Sequence, residues 1–270
     1  MERTVNELIR MRRSVRTFDG VRLTDGDRAF LEESVSSLTD PWGVPVEFRL
    51  LDAKEHGLSS PVIVGAQEYL AAKVERVDNY EIAFGYSFEK ACLLALSRGI
   101  GTVMLAASLN RSAFEKAMDV GKNEVLPVAS PVGYPTDKMS IRETLMRKGV
   151  KADLRKPFEE LFFDGSFEKV LTKDSAGVFA GALEAVRLAP SAANRQPWRA
   201  VADGDSLHFY EARSMKDSPL GDIQKVDIGI ALAHFDAVRR EDGIDGVFQF
   251  TKPGAAAPAN TQYIVSFRRK

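Results

Sequence analysis

The sequence predicts an α+β fold, with helices flanking the β-structure. Helical periods and alternating strands interleave along all 270 residues. The stretch from Tyr80 to Arg98 is apolar on nearly every side (Ile82, Ala83, Phe84, Phe88, Ala91, Leu94, Ala95), the mark of a buried central helix. The order of elements also repeats. Residues 29–52 read helix, break, strand, and residues 178–202 read the same, with Phe30-Leu-Glu-Glu-Ser-Val35 over Phe179-Ala-Gly-Ala-Leu-Glu184. Residues 80–103 lie over 226–247 as helix, glycine turn, strand, with Arg98-Gly-Ile-Gly-Thr102 over Asp242-Gly-Ile-Asp-Gly246.

Each element has its own signal. Thr4-Val-Asn-Glu7 is a capping box opening a short helix with Val5, Leu8 and Ile9 inward. That helix runs into Arg10, Arg12 and Arg13. These cations have two readings: favourable charges at a helix C-terminus, or, with Ser14 and Arg16, charge-assisted donors for a phosphate. Thr24 caps a second helix with Phe30, Leu31, Val35 and Leu38 inward, and Pro41-Trp-Gly43 breaks it. Val46, Phe48 and Leu50 alternate with Glu47 and Arg49 as a half-buried strand. Pro61-Val-Ile-Val-Gly65 reads as a short interior strand. Gly99-Ile-Gly101 ends the central helix, and a strand follows at 102–106. A short helix at 111–118 and a strand at 125–134 come next.

Residues 136–165 carry no strong period. Lys138, Arg142, Arg147, Lys148, Lys151, Arg155 and Lys156 make that stretch a solvated face or a linker. Phe179, Ala182, Leu183 and Val186 then repeat at helical spacing until Pro190 stops the helix. Ser191, Ala192 and Ala193 form a small-residue loop. The Asn194 amide can donate and accept at once. Such a loop suits a flat heteroaromatic ring, and equally a plain turn in which Asn194 serves its own backbone. Gln196-Pro-Trp198 leads into a hairpin, 198–202 and 207–211, turning at Asp203-Gly-Asp205. A helix at about 222–240 and strands at 246–250 and 262–267 complete the chain.

Composition narrows the function classes. The apolar fraction is 44% and the charged fraction 28%, as in soluble globular proteins. A net charge of -1 gives no electrostatic argument for nucleic acid or a membrane surface. No apolar run approaches the ~20 residues that span a bilayer, and Met-Glu-Arg-Thr-Val lacks a signal-peptide layout. Cys92 is the only cysteine, and it sits in an apolar helix as a buried thiol. His56, His208 and His234 show no metal spacing. The expectation is a cytoplasmic protein without a structural metal. Neither a dinucleotide fingerprint nor an acid–base constellation stands out.

Pro190-Ser-Ala-Ala-Asn-Arg-Gln-Pro-Trp198 resembles the P-S-x-x-N-x-Q-P-W segment of the FMN-dependent nitroreductase family. Arg12-Arg-Ser-Val-Arg-Thr-Phe18 resembles the family's R-R-S-x-R-x-F segment, whose basic side chains hold the FMN phosphate and ribityl chain. Ala129-Ser-Pro-Val-Gly-Tyr-Pro135 is similar to a late strand ending V-G-Y-P. Leu154-Arg-Lys-Pro-Phe-Glu-Glu-Leu161 looks like the family's closing basic segment and nominates Arg155 for the phosphate, although Asp153 stands where a lysine is common. Met104-Leu-Ala-Ala107 matches the loop beside the reactive edge of the flavin, with Leu105, Ala106 and Ala107 in place of P-x-E-G or a glycine pair.

The resemblance implies a mostly antiparallel sheet flanked by helices, with FMN as cofactor. The implied binding residues are Arg12, Arg13, Ser14, Arg16, Leu105, Ala106, Ala107, Arg155, Pro190, Ser191, Ala192, Asn194 and Gln196, with no catalytic side chain of its own. It implies reduction of a nitroaromatic or quinone-like acceptor by NAD(P)H in two steps. The alternative is a flavin-binding or sequestering protein without turnover. Family members are dimers whose flavins lie between subunits. The wide separation of the two motifs here is that of a single-chain subgroup, in which residues 1–150 and 151–270 stand in for two subunits within a monomer.

Overall fold

The computed structural model describes residues 3–137, 139–251 and 253–270. The elements of the first half are α1 (Val5–Met11), α2 (Asp25–Ser36), β1 (Val46–Asp52), β2 (Glu68–Glu75), α3 (Tyr80–Ser97), β3 (Gly101–Thr102), α4 (Arg111–Ala117), β4 (Glu124–Val125) and β5 (Ala129–Gly133). They are followed by α5 (Ile141–Gly149), α6 (Phe158–Leu161), β6 (Phe162–Asp164), α7 (Ala180–Leu188), β7 (Trp198–Asp203), β8 (Ser206–Ala212), α8 (Ile223–Glu241), β9 (Gly246–Gln249) and β10 (Thr261–Arg269).

The strands form two sheets. One runs β1-β2-β5-β3, with β4 on β2, and the other runs β6-β7-β8-β10-β9. Every pairing is antiparallel except β6 on β7. The order β1-β2-β5-β3 recurs as β7-β8-β10-β9, so the repeat read from sequence is a repeat of topology. The expected α+β architecture holds, with its β-structure divided between two sheets.

Two glycines explain how the repeats join. α3 and α8 cross at the centre. A Cβ on Gly85 would overlap the Val226 carbonyl, and one on Gly229 would overlap the Ile82 carbonyl. The same sequence separation relates Ile82 to Val226, Gly85 to Gly229 and Gly99 to Gly243, which places the crossing on a local pseudo-twofold. Without side chains at these points the helix backbones touch. The largest core cluster therefore runs without a break from Leu8 and Ile9 through Phe84 and Phe88 to Phe235 and Phe267.

The capping box and the C-terminal elements stand where the sequence places them. Thr4 accepts from Glu7 N–H, and the Glu7 carboxylate accepts from Thr4 N–H. Asp222 caps α8. Four expectations are corrected. Residues 61–65 form no strand; Val64 is 44% exposed and makes only an isolated bridge with Thr17. The central strand is β2, Glu-Tyr-Leu-Ala-Ala-Lys-Val-Glu. It is covered on both faces, so it shows no alternation, and its charges are neutralised in place: Glu68 accepts from Leu23 N–H at 2.8 Å and pairs with Arg28, while Lys73 pairs with Glu124 at 3.0 Å. The strands expected at 102–106 and 125–134 are shorter, Gly101–Thr102 for the first and Glu124–Val125 with Ala129–Gly133 for the second, where Pro127, which has no N–H, stands in the gap.

The fourth correction concerns 136–165. It contains helices α5 and α6 and strand β6. Helix α5 escapes a periodicity search because its apolar residues face out. Ile141 is 82% exposed and Leu145 65%, while Glu143 is buried. Lys138 and the Arg142 side chain lie outside the described residues.

Candidate functional site

Residues 12–18 run along the edge of the first sheet. Val15 N–H donates to Thr102 O at 2.9 Å, Phe18 N–H to Val64 O at 2.9 Å, and Ser14 bridges Thr102. The arginines of this stretch diverge. Arg12 turns inward, where its Nε lies 2.6 Å from Glu89 of α3 and both side chains are buried. Glu89 also bonds His234 Nε2 of α8 at 2.8 Å, and His234 Nδ1 lies 3.1 Å from Ala185 O. Arg12 thus ties the segment to the central crossing. Arg13 is exposed and makes no hydrogen bond or ion pair among the described residues. Arg16 is half-buried, and its Nε has no partner among the described residues. Burial pushes the Arg16 pKa down, Glu143 opposes this, and Arg147 adds to it.

Helix α5 docks on this segment. Glu143 Oε2 accepts from Arg16 N–H at 3.2 Å and from Thr17 Oγ1 at 2.8 Å. Arg147, one turn on, pairs with Asp153. These contacts were invisible in the sequence, since a lone Glu in a charge run carries no signal.

Across from the arginines lies the loop after α7. Ala193, Asn194 and Gln196 have φ of 49°, 55° and 52°, so three non-glycine residues hold left-handed backbone. Each costs on the order of 1 kcal/mol, and such strain clusters at functional sites. The loop is held by side chains. Gln196 N–H donates to Ser191 Oγ at 2.9 Å, and Ala192 N–H to Asp227 Oδ1 and Oδ2 at 3.0 and 3.1 Å. Asn194 Nδ2 donates to Lys151 O at 2.8 Å and Leu154 O at 3.0 Å. Gln196 Oε1 accepts from Lys156 N–H at 2.8 Å. Pro190 is half-buried at the turn that leads in.

Arg155 belongs to the loop side. It donates to Asn194 Oδ1 at 3.3 Å, to Leu188 O at 3.2 and 3.3 Å, and to Ala152 O at 2.8 Å. Burial lowers its pKa, and Arg12 and Arg187 lower it further by repulsion. The fold therefore gathers Arg12, Arg16, Arg147, Arg155 and Arg187; Arg12, Arg147 and Arg187 pair with Glu89, Asp153 and Glu184, while Arg16 and Arg155 make no ion pair among the described residues. An anion entering there would relieve both the desolvation and the repulsion.

The 105–107 loop flanks a cleft at the start of α8. Leu105 is buried and exchanges backbone bonds with Ala129 at 2.9 and 3.1 Å. Ala106 O accepts from Arg111 at 2.6 Å, and Ala107 is exposed. Ala106, Pro127, Leu220, Ile223 and Val226 line a small apolar cavity at the start of α8.

Behind the strained loop sits a group of acids. Glu211 of β8, Asp222 and Asp227 are all buried. Desolvation, then repulsion from Asp222, pushes Glu211 up to about 7. The native state then holds a proton that the unfolded chain releases near pH 4.5, so stability falls as pH rises through that window to about 7. Glu211→Gln is expected to be more stable than the parent at pH 8 and no more stable at pH 4.5. A gain in melting temperature of roughly 2–4 °C per kcal/mol makes this measurable. Equal melting curves at pH 8 would refute the assignment.

The pseudo-twofold counterpart of this region differs. Phe248 stands where Met104 stands in the first half. It packs on Trp42, with ring centroids 6.0 Å apart, and Trp42 meets Tyr86 edge-on at 5.7 Å. Asp40 fixes that loop by accepting from Trp42 N–H at 2.7 Å and Val44 N–H at 3.1 Å. Aromatic side chains pack at the second position, and the arginines beside it, Arg239 and Arg240, are paired with Asp236.

Two sheets of one topology, joined through a central helix pair, define a nitroreductase-like fold. The chain matches the family described as "Putative TM nitroreductase" over residues 4–238, and it belongs to that family. A Thermotoga maritima MSB8 structure described as a "putative nitroreductase" superposes with a TM-score of 0.66 at 19% identity, covering 99% of this chain and 94% of its own, a likeness of fold. An FMN-dependent nitroreductase from Clostridium difficile R20291 matches 49% of this chain and 88% of its own, at 13% identity and a TM-score of 0.42. An iodotyrosine deiodinase bound to FMN and 3-iodo-L-tyrosine matches 51% of this chain and 92% of its own, at 16% identity and a TM-score of 0.42. The search of curated proteins found no match. Among the described residues no helix is long and apolar enough to cross a membrane, and no group of His, Cys, Asp and Glu could hold a metal ion.

Proposed function

We propose that this chain is an FMN-dependent oxidoreductase that draws hydride from NAD(P)H and reduces a small aromatic acceptor of the nitroaromatic or quinone kind. The carrying observation is that Arg155, bonded to Asn194 of the P-S-x-x-N loop, stands close enough to Arg12 of the first half to be repelled by it. The residues present fit the cofactor. Arg16 Nε is buried without a partner among the described residues, and the Ser14 hydroxyl and Arg13 lie on the same short segment. Arg13, Ser14, Arg16 and Arg155 would hold the phosphate end. Pro190, Ser191, Ala192, Asn194 and Gln196, with Leu105, Ala106 and Ala107, would border the ring. Arg12 supports the cradle from behind through Glu89. When bound, FMN supplies two-electron redox chemistry that no side chain of this protein provides.

In this reading residues 1–150 and 151–270 act as the two partners of an internal dimer, in a cytoplasmic monomer. One site forms per chain, because Trp42 and Phe248 fill the other. Purified protein is expected to be yellow, to hold one FMN per chain and to sediment as a monomer. Anaerobic NAD(P)H is expected to bleach it. A yellow protein that NAD(P)H leaves unbleached would be a flavin carrier, and a colourless one that takes up no FMN would sink the proposal. Two flavins per chain would overturn the single-site reading.

Asn194→Ala is expected to weaken FMN binding roughly tenfold, the loss of one charge-assisted hydrogen bond. The amide both accepts from Arg155 and ties residues 151 and 154 to the loop, so its removal frees the arginine. Fluorescence titration measures this, and unchanged affinity would leave Asn194 only a turn-forming role.

A further inference from the structure

The strained loop is held from below by one residue that no motif marks. Asp227 sits on α8, is 3% exposed, and directs both carboxyl oxygens at a single donor, Ala192 N–H. That N–H immediately precedes the left-handed pair Ala193 and Asn194. No other hydrogen bond or ion pair to the Asp227 carboxyl is present among the described residues. A fully buried acid with one neutral donor is costly, so packing alone would favour an apolar residue there. Its position on the central helix beneath the loop offsets that cost only if the loop geometry matters.

We propose that Asp227 is a positioning residue for the flavin: its carboxyl clamps Ala192 and so fixes the backbone from which Asn194 reaches Arg155. This rests on the FMN reading above and assigns the loop's geometry to one side chain. The groups facing Asp227 agree with a neutral carboxyl. Desolvation raises its pKa well above the ordinary carboxylate range, and Asp222 of the same helix and Glu211 of β8 raise it further. Lys225 and Arg213 lie in the same neighbourhood, and Arg213 is taken by Asp217 and Asp222. A neutral acid and an amide are near-isosteres with the same carbonyl acceptor. Asp227→Asn therefore keeps the clamp, and Asp227→Ala removes it.

The two roles open to a buried acid separate in experiment. If Asp227 only packs, Asp227→Ala changes stability and leaves flavin affinity alone. If it positions the loop, Asp227→Ala raises the FMN dissociation constant about tenfold or more, while the melting temperature of the flavin-free chain stays level or rises, since a desolvated acid is gone. Asp227→Asn should bind FMN within about threefold of the parent, one hydrogen bond being worth more than that. Fluorescence titration and thermal melts of the flavin-free proteins read both quantities without turnover. Parent-like affinity in Asp227→Ala, or an Asn variant as weak as the Ala variant, overturns the proposal. Should Asp227→Ala fail to fold, Asp227→Leu, similar in size and without an acceptor, takes its place beside the Asn variant, and parent-like affinity in Asp227→Leu overturns the proposal. A parent that takes up no FMN would instead refute the FMN reading itself.

Discussion

Gly229→Ala is expected to lower the melting temperature of this protein by several degrees. The added Cβ overlaps the Ile82 carbonyl and lies 2.8 Å from Tyr86 N, both backbone atoms of a buried helix. Neither can rotate away as a flexible side chain would, so α3 and α8 must separate along their whole contact. Overpacking of this kind costs about 3 kcal/mol or more, a fall of roughly 6–10 °C. Gly85→Ala meets the Val226 carbonyl in the same way and should cost the same. Gly26→Ala is the control: it lies in α2 with no heavy atom within 4 Å of the new Cβ. A Gly229→Ala melt that matches the control would show that the helices do not touch as described. Because the candidate site takes Arg16 from the first half and Arg155 and Asn194 from the second, the variant should lose flavin as well.

Arg16→Ala is expected to weaken FMN binding about ten- to a hundredfold, from the loss of a charge-assisted bond of about 1.5–3 kcal/mol. Hydride transfer in the flavin-saturated variant should change much less. The backbone at this position is already fixed, since Glu143 accepts from Arg16 N–H and Val15 N–H donates to Thr102 O. Truncating the side chain therefore removes a ligand donor and leaves the segment in place. Arg12→Ala should behave differently. It would strand Glu89, buried beside His234, and be felt first in stability. Titration of FMN into each flavin-free variant, beside its thermal melt, separates the two arginines. Unchanged affinity in Arg16→Ala would remove that residue from the cradle.

The sequence alone reached a long way where local rules apply. The capping box at Thr4, the hairpin at Asp203-Gly-Asp205, the all-apolar helix α3 and the strand β10 follow from short-range chemistry that acts before the chain collapses. The repeat was legible because Gly99 and Gly243 end matching helices, and a left-handed C-terminal glycine is a local requirement. Both site motifs were legible as runs of residue types.

Tertiary structure decided the rest. Strand β2 carries charges at Glu68 and Lys73 that only distant partners neutralise, so no local pattern marks it as central. Helix α5 turns its acid inward because Arg16 and Thr17 offer donors there, which inverts the usual amphipathic pattern. Of four cationic-segment residues that looked alike, Arg12 went to Glu89 while Arg16 stayed without a partner, a division made by the position of α3. Asp227 gained its meaning only when α8 carried it beneath Ala192. The sequence by itself determined the elements whose signals are local, such as α1, α3, the hairpin β7–β8 and β10, since caps, turns and periodicity depend on neighbours within a few residues. Which charges are paired, and which remain to meet a ligand, depends on contacts between residues far apart in the chain, and only the folded structure decides it.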